Sequence, residues 1–159
     1  MNFQLITSSY PASPDDPAGT AGLFVRDFAL ELRDLGHHVL VQPVARWPHY
    51  KGDPGLTIEP LAWPGPSGEL ASLKFADPRT WFAAARFFLS AGRAALNANR
   101  KHRIDRALCF WAVPSGQIGK QIRDSGGSPF DVWALGSDVW KIRKIPILGP
   151  YWLKRIFHA

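Results

Sequence analysis

Three short segments of this 159-residue chain contain the residue types that bind anions or sugars. The first is the loop Gly19-Thr20-Ala21-Gly22, which precedes a predicted helix. Glycine lets a backbone approach a ligand closely, and the free N–H groups of a helix N-terminus favour phosphate. The loop has neither the G-x-G-x-x-G spacing of dinucleotide-binding proteins nor the G-x-x-x-x-G-K-[ST] of a P-loop. It therefore predicts either an anion site or a plain strand-to-helix turn.

The second segment is Gly136-Ser137-Asp138, which follows an apolar run with the length of a strand. A carboxylate in this position can accept hydrogen bonds from sugar hydroxyls or act as a general base. The alternative is purely structural, because Ser137 or Asp138 would also be a suitable cap for a following helix.

The third segment runs from Trp111 through Pro114 and Ser115 to Gly116, after another apolar run. Its small residues allow a sharp turn into a helix, which would leave Trp111 and Ser115 lining the end of the strand. A proline near the first helical position explains the same residues without any ligand.

Other chemistry is disfavoured by the residue pattern. The single cysteine, Cys109, lies in an apolar run and is expected to be a small buried hydrophobe. One cysteine also excludes a disulfide and a cysteine metal cluster. No histidine has metal-ligand spacing to another, and no G-x-S-x-G elbow occurs, so we expect neither a metal site nor a serine hydrolase.

The elements that must position these segments alternate between strand and helix. Apolar runs predict strands, and the 3.6-residue spacing of apolar positions predicts helices. The expected strands are Phe3–Ser8, Val39–Val44, Leu56–Trp63, Arg106–Trp111 and Phe130–Leu135, and the expected helices are Leu23–Leu35, Asp77–His102 and Pro114–Asp124. This order predicts an α/β fold with a doubly wound, mostly parallel sheet in a three-layer sandwich. The three segments then meet at the carboxyl edge of the sheet, where ligands bind.

The apolar faces of the two long helices follow from the same spacing. In the first, we expect Phe24, Phe28, Leu32 and Leu35 to face the core with Val25 beside them, and Arg26 to lie among charged residues on the outer face. For the second, we expect an apolar stripe made of Trp81, Phe82, Ala85, Phe88, Leu89, Gly92, Ala95 and Leu96.

The charge distribution suggests a further partner. The chain has a net charge of +6 and a pI near 9.8. Between Asp77 and Asp105 no acidic residue occurs, and one flank of the long helix carries arginine at every seventh position, namely Arg79, Arg86, Arg93 and Arg100. A basic amphipathic helix of this type lies on anionic membranes. The equally open alternative is a core-packed helix with a solvated arginine flank.

No run approaches the roughly 20 apolar residues of a membrane span. Met1–Tyr10 also lacks the basic region of a secretory signal. We therefore expect a cytoplasmic protein, peripheral on the inner face of the membrane if the basic helix binds lipid.

The last residues differ in composition from the rest. We expect residues 1–138 to form a Rossmann-like domain and 139–159 to form a basic, aromatic C-terminal segment without any acid. Such a mixture occurs in single-stranded nucleic-acid binding and in membrane binding, but no nucleic-acid motif accompanies it, so we expect no nucleic-acid partner. Another explanation is that its aromatic residues pack on a further domain.

Taken in order, these segments resemble the N-terminal domain of GT-B glycosyltransferases of the retaining, family-4-like group. The resemblance covers nearly the whole chain and rests on five pieces, namely Thr7-Ser8-Ser9-Tyr10-Pro11 with Gly19–Gly22, Phe24-Val25-Arg26-Asp27, Leu35-Gly36-His37-His38-Val39, Trp111 to Gly116, and Leu135-Gly136-Ser137-Asp138-Val139. Two departures are Thr20, where many relatives have a second glycine, and Leu135, where several have a histidine near the sugar.

The resemblance implies the acceptor-binding half of a transferase that moves a sugar from a nucleotide-sugar to a glycan or lipid-linked acceptor, in polysaccharide or glycolipid biosynthesis, without a required metal or other cofactor. Gly19, Thr20 and Gly22 would approach the donor phosphates. Trp111, Ser115, Gly136, Ser137 and Asp138 would line the cleft. No side-chain catalyst carries over to this chain.

The family's second domain, which holds most of the nucleotide-sugar, has no counterpart here. We therefore expect residues 139–159 to lead toward a second domain missing from this chain, and the chain alone to be inactive. Two other readings stay open, namely a non-catalytic membrane- or partner-binding module of the same fold and a nucleotide-binding protein of another α/β family.

Overall fold

The structure, a computed structural model, describes residues 1–11, 22–45, 53–63, 78–145 and 148–158, without the side chains of residues 78–81, 137 and 148. Over these described residues the strands are β1 (Asn2–Thr7), β2 (His38–Ala45), β3 (Thr57–Ile58), β4 (Leu61–Ala62), β5 (Arg106–Phe110) and β6 (Phe130–Trp133). The α-helices in the same ranges are α1 (Leu23–Asp34), α2 (Pro78–Lys101), α3 (Gln117–Asp124), α4 (Ser137–Arg143) and α5 (Leu148–Phe157), and a kinked π-helical turn, Ala112–Gly116, precedes α3.

All described strand pairs are parallel, in the order β3-β2-β1-β5-β6, and β4 also pairs with β2. Leu5 in the centre of β1 stands opposite Val41 of β2 and Leu108 of β5. The doubly wound parallel sheet predicted from the sequence is confirmed. The third predicted strand, Leu56–Trp63, is two short strands instead, because Pro60 lies between them and cannot donate to the ladder.

Helices cover both faces of the sheet, which makes three layers. Successive strand residues point to opposite faces. Leu5 packs on the face covered by α1, together with Val25 and Ala29. Ile6 packs on the opposite face, where Phe87 of α2 and Ile118 of α3 belong to the same buried cluster.

The predicted apolar faces of both long helices are confirmed only in part. Phe28 and Leu32 of α1 and Phe88 and Leu96 of α2 pack against the buried clusters as expected, and Ala95 is itself buried. In α1 the buried residues are Val25 and Ala29, whereas Leu35 is 71% exposed. In α2 the buried residues include Phe87, Ala91 and Ala95, whereas Phe82 and Leu89 of the predicted stripe are 68% and 59% exposed. Small side chains at the contact let a helix lie close to the sheet, and this places some of the largest apolar residues outside.

Arg26 is also not on a free outer face. Its guanidinium donates to both carboxylate oxygens of Asp53, with distances of 2.6 to 3.0 Å, and the Asp53 side chain is only 6% exposed. This pair joins α1 to the segment before β3. The hydrogen bonds from Arg26 lower the pKa of Asp53, against the opposing effect of burial.

A buried polar network connects the sheet to α2. Gln4 Nε2 donates to Gln42 Oε1 at 2.6 Å and to the Ala95 carbonyl at 3.0 Å. Asn99 Nδ2 donates to Gln4 Oε1 at 2.7 Å and to Ser128 Oγ at 2.8 Å. Asn99 Oδ1 accepts from the Ser128 N–H at 3.1 Å. Four buried polar side chains thus satisfy one another.

The C-terminal segment forms α4 and α5 and packs on the sheet domain. Ile142 and Leu153 form a buried cluster with Ala112, which follows β5. The ring of Trp152 meets Phe88 of α2 edge to face, with centroids 5.6 Å apart. Trp140, Tyr151 and Phe157 stay exposed. Among the described residues, no helix combines the length and apolar character needed to cross a membrane.

Candidate functional site

The carboxyl ends of β1, β5 and β6 lie side by side at one edge of the sheet. Thr7, the last residue of β1, pairs with Phe110 of β5, and Phe110 pairs with Trp133 of β6. The segments that follow these strands therefore start as neighbours. Two of the three segments singled out from the sequence, 111–116 and 136–138, are brought together here.

Trp111 leaves β5 in an unusual backbone conformation. Its φ is 73° and its ψ is 140°, in a region that non-glycine residues rarely occupy. The Trp111 N–H donates to the Trp133 carbonyl at 3.0 Å, and its own carbonyl accepts from the Gly116 N–H at 3.1 Å. Strain of this kind costs about 1–3 kcal/mol and clusters at functional sites. The half-buried ring of Trp111 meets Phe24 of α1 edge to face at 5.8 Å.

The Asp138 carboxylate joins the ends of β5 and β6. Its Oδ2 accepts a hydrogen bond from the Ala112 backbone N–H, and the residue is 8% exposed. The other oxygen, Oδ1, is buried without a hydrogen-bond partner among the described residues. The capping interpretation of Asp138 is wrong, since Gly136 is the N-cap of α4 and the carboxylate is directed to Ala112 instead.

Gly136 is required by the backbone at this position. Its φ of 93° lies in the left-handed region, which glycine adopts without the strain a side chain would cause. Its carbonyl accepts from the Trp140 N–H at 2.9 Å, which closes the first turn of α4. Gly136 thus turns the chain sharply enough to bring Asp138 back to Ala112. The Ser137 side chain lies outside the described residues.

Ser115 and Gly116 lie deeper than the sequence indicated. Ser115 is fully buried, and its hydroxyl oxygen has no hydrogen-bond partner among the described residues. A Cβ on Gly116 would come within 3.1 Å of side-chain atoms of both Val132 and Ile156. The side chains of Val132 and Ile156 pack against this part of the turn. A role of Ser115 in lining a cleft stays a prediction.

Of the glycine loop, only Gly22 is described, and Gly19 and Thr20 lie outside the described residues. Gly22 is the N-cap of α1 without a side-chain cap. A Cβ there would stand 2.7 Å from the Tyr10 Cα and 2.9 Å from the Ser9 carbonyl carbon. Glycine is therefore needed where the chain leaving β1 passes the start of α1. Its approach to a donor phosphate is still a prediction.

An aromatic cavity beside this edge was not anticipated from the sequence. A space of about 480 Å³ opens over β5 and β6 on the face that carries α1, bordered by Phe28, Phe110, Asp131 and Trp133 among others. Trp133 is 51% exposed, and its ring meets Phe24 edge to face at 6.3 Å. The available signal was the alternation along β6, which places Asp131 and Trp133 on one face.

The α2 arginines are spread along an outward face and not at the sheet edge. Arg86, Arg93 and Arg100 are exposed, and Arg100 donates to the Ser125 carbonyl at 2.9 Å. The Arg79 side chain lies outside the described residues. The exposed Phe82 and Leu89 alternate with Arg86 and Arg93 on the same face.

The residues at this edge of the sheet have side chains that can bind a ligand. Asp138 Oδ1 is a buried acceptor without a partner among the described residues, and Trp111, Phe24 and Trp133 offer aromatic surface. The one cysteine, Cys109, is buried, and burial raises the pKa of its thiol far above the usual range, which makes it inert as a nucleophile. Within the described ranges, no three His, Cys, Asp or Glu side chains converge to hold a metal ion.

Comparison with known proteins gives a similarity in fold. No protein-family model matches the chain, and no curated protein matches it. Among solved structures, sucrose-phosphate synthase from Thermosynechococcus elongatus superposes with a TM-score of 0.64 at 16% identity, covering 100% of this chain. The enzyme WbmH of Bordetella bronchiseptica, solved with NAD+, superposes over 84% of this chain and 56% of its own, at 15% identity and a TM-score of only 0.42.

The chain spans 40% of the length of the sucrose-phosphate synthase chain. Its α/β fold with a Rossmann-like parallel sheet thus resembles part of sucrose-phosphate synthase.

Proposed function

We propose that this chain is the acceptor-binding N-terminal domain of a glycosyltransferase that moves a sugar from a nucleotide-sugar to a glycan or lipid-linked acceptor. The observation that carries the proposal is the superposition of the entire chain on part of sucrose-phosphate synthase. The sequence motifs at the sheet edge support it independently, because they resemble the same class of enzyme.

Several residues at this edge of the sheet would each make a contact with a bound acceptor. A sugar hydroxyl would have to reach into the sheet edge to donate to the buried Asp138 Oδ1, while Oδ2 stays bound to the Ala112 N–H and keeps the carboxylate in place. Trp111 presents a ring to the apolar face of the sugar. The donor phosphates are approached by the glycine loop, through Gly19, Thr20 and Gly22. The wall of the acceptor cleft is formed by Ser115, Gly136 and Ser137.

The remaining parts of the active site are proposed to come from a second α/β domain, the partner that binds most of the nucleotide-sugar. No metal or other cofactor is assigned a role, and the nucleotide-sugar is a substrate. We assign no catalytic side chain to this chain, because the Asp138 carboxylate at the edge is buried and held by the Ala112 N–H, and no activated nucleophile is present among the described residues.

A saccharide-binding experiment tests the proposal. The purified chain is incubated on a glycan array together with the variants Asp138→Asn and Trp111→Phe. We expect binding to a subset of glycans. Asp138→Asn should weaken it by about tenfold, the loss expected for one hydrogen bond to a charged group, and Trp111→Phe should also weaken it, because the smaller ring offers less surface to the sugar. Asp131→Asn is the matched control, since this exposed carboxylate pairs with Arg106. Unaltered binding in both edge variants would remove the site from the proposal.

Two further outcomes separate the proposal from other functions. Turnover of UDP-glucose or GDP-mannose by the 159-residue chain alone would contradict the requirement for a second domain. Tight binding of either nucleotide-sugar by the chain, without any saccharide bound, would instead favour a nucleotide-binding protein of another α/β family.

A second candidate function is a non-catalytic module that attaches to membranes or to a partner through α2. The specific observation is the exposure of Phe82 and Leu89 between Arg86 and Arg93. Apolar side chains flanked by cations are the pattern of a helix lying in an anionic interface.

Sedimentation with vesicles of rising phosphatidylglycerol content tests this candidate. The charge-reversed variant Arg86→Glu/Arg93→Glu is expected to lose binding, because its outer face would repel anionic lipid. Arg103→Glu, exposed after the C-terminal end of α2, is the single-charge control. Equal sedimentation of wild type and the double variant would exclude α2 as the contact.

A further inference from the structure

A second cavity lies between α2, α3 and α5, apart from the sheet edge. Its volume is about 410 Å³, within the range of small-molecule sites. Neither Trp111 nor Asp138 lines it. Its lining combines apolar, polar and charged residues, namely Phe88, Ile145, Trp152, Tyr151, Gln117, Lys120, Asp124 and Arg155.

The charged groups leave the cavity with an excess positive charge. Lys120 is 8% exposed, and its ammonium donates to the Asp124 carboxylate one helical turn later. An ammonium has three donors, so this pair leaves capacity for another acceptor. Arg155 adds a second cation, whose guanidinium carbon stands 5.8 Å from the centre of the Tyr151 ring. Two cations and one carboxylate make the lining net positive, which selects an anion.

The apolar wall is held rigidly. Trp152 packs edge to face on Phe88 at 5.6 Å with an interplanar angle of 76°. Its indole Nε1–H donates to Gln117 Oε1 at 2.6 Å, so the ring is fixed from both sides. A wall that is already ordered costs little entropy when a ligand binds. It also requires an apolar body in the ligand, beyond the anionic group.

The surface around the cavity also combines apolar and cationic side chains. Leu89, next to Phe88 on α2, is 59% exposed, and Tyr151 of α5 is also 59% exposed. Arg86 and Arg93 flank Leu89 on α2. Exposed apolar side chains close to cations fit a lipid better than a free anion, because a free anion would leave these apolar groups in water.

We infer that this cavity binds the phosphate of one anionic phospholipid. The phosphate lies between Lys120 and Arg155, and the first part of the acyl chain lies along Phe88 and Trp152. This site deepens the membrane-binding candidate of α2, on which its biological use rests, and it is independent of sugar transfer.

Binding of a lipid monomer tests the site without a membrane. The full chain is titrated with short-chain phosphatidylglycerol below its aggregation concentration, and the NMR signal of the Trp152 indole N–H reports binding. Arg155→Gln is expected to weaken binding by about tenfold, as for the loss of a charge-assisted hydrogen bond. Lys120→Met is expected to do the same, and the exposed Arg155 variant carries the test if Lys120→Met does not fold. Arg103→Gln is the matched control.

Titrations with phosphatidylcholine and with glycerol phosphate test whether the cavity selects an anionic lipid over a neutral lipid or a soluble phosphate. Phosphatidylcholine with the same chains is expected to bind more weakly, because its headgroup carries no net charge. Equal binding of the two lipids would overturn the role of the cations. Glycerol phosphate is expected to bind more weakly than the lipid, and equal affinity would overturn the lipid assignment in favour of a soluble phosphate.

The vesicle experiment keeps the two proposals distinguishable. Arg86→Glu/Arg93→Glu is expected to abolish vesicle binding and to leave monomer binding within about twofold, because neither arginine lines the cavity. Monomer binding without vesicle binding in the wild type would remove the membrane role and keep the site. Absence of any shift in the Trp152 signal with phosphatidylglycerol would overturn the site itself.

Discussion

At the scale of single residues, the Asp138 carboxylate connects the ends of β5 and β6 through a hydrogen bond from the Ala112 N–H. A carboxylate after a strand and a glycine is suited both to ligand binding and to helix capping, and the sequence supports each. The structure directs Oδ2 to the Ala112 N–H, 26 residues earlier in the chain. Only the adjacency of β5 and β6 creates this contact.

Removal of the Asp138 carboxylate should destabilise the fold. In Asp138→Ala the buried Ala112 N–H loses its acceptor, which costs about 1–3 kcal/mol. Asp138→Asn keeps an acceptor oxygen and should lose less. Urea denaturation measures both, with Asp131→Asn as the exposed control. Equal stability of the Ala variant and wild type would contradict the assigned hydrogen bond.

Asp53 should make stability depend on pH. Its pKa is lowered from the ordinary value of 3.8 by hydrogen bonds from Arg26, so its contribution is full above that value. The contribution is lost as the pH falls through the depressed pKa, because the folded state then binds the proton as well.

The measurement compares the free energies of unfolding of wild type and Asp53→Asn. Near neutral pH the variant should be less stable by about 1.5–3 kcal/mol, as expected for hydrogen bonds between charged groups. This difference should shrink below about pH 4. Asp34→Asn, at a carboxylate that is 61% exposed, should show a small difference at every pH. A constant difference for Asp53→Asn down to pH 2 would disprove the linkage.

At the scale of elements, the type of each long helix was predictable, but its buried face was predictable only in part. Apolar residues are so frequent in α2 that several stripes have helical spacing. Contact with the sheet selects the stripe containing Ala91 and Ala95, because the Ala95 carbonyl must come within 3.0 Å of Gln4 Nε2. Larger side chains at those positions would prevent that approach.

Phe87 and Leu89 lie two positions apart in α2, and truncation of their side chains should therefore have very different effects on stability. Phe87 is fully buried, and Phe87→Ala should cost about 3–5 kcal/mol. Leu89 is 59% exposed, and Leu89→Ala should stay within about 0.5 kcal/mol of wild type. Thermal and urea unfolding provide the comparison. A large loss for Leu89→Ala would mean that Leu89 faces the core, as the sequence predicts.

At the scale of the whole molecule, the layers are connected by polar as well as apolar contacts. The network of Gln4, Gln42, Asn99 and Ser128 reaches from two strands to α2 and to the segment before β6. Such a network is favourable only when every member has its partners. It therefore specifies one position of α2 on the sheet.

Loss of Asn99 should affect the entire fold. In Asn99→Ala, Gln4 Oε1 loses its donor and the Ser128 N–H loses its acceptor, and together these should cost more than about 2 kcal/mol. The exposed Asn97, on the opposite side of α2, provides the control variant Asn97→Ala. Similar melting temperatures for both variants would show that the network contributes little.

The sequence by itself determined the alternation of strands and helices along most of the chain and the parallel sheet. These features follow from apolar periodicity and from backbone restrictions, which act over a few neighbouring residues. Tertiary structure alone decided which of the predicted apolar positions of α1 and α2 stay exposed, the Arg26–Asp53 pair, the hydrogen bond from Ala112 to Asp138 and the cavity between α2, α3 and α5. Each of these joins residues that are distant in the chain, and their contacts depend on how closely the layers pack.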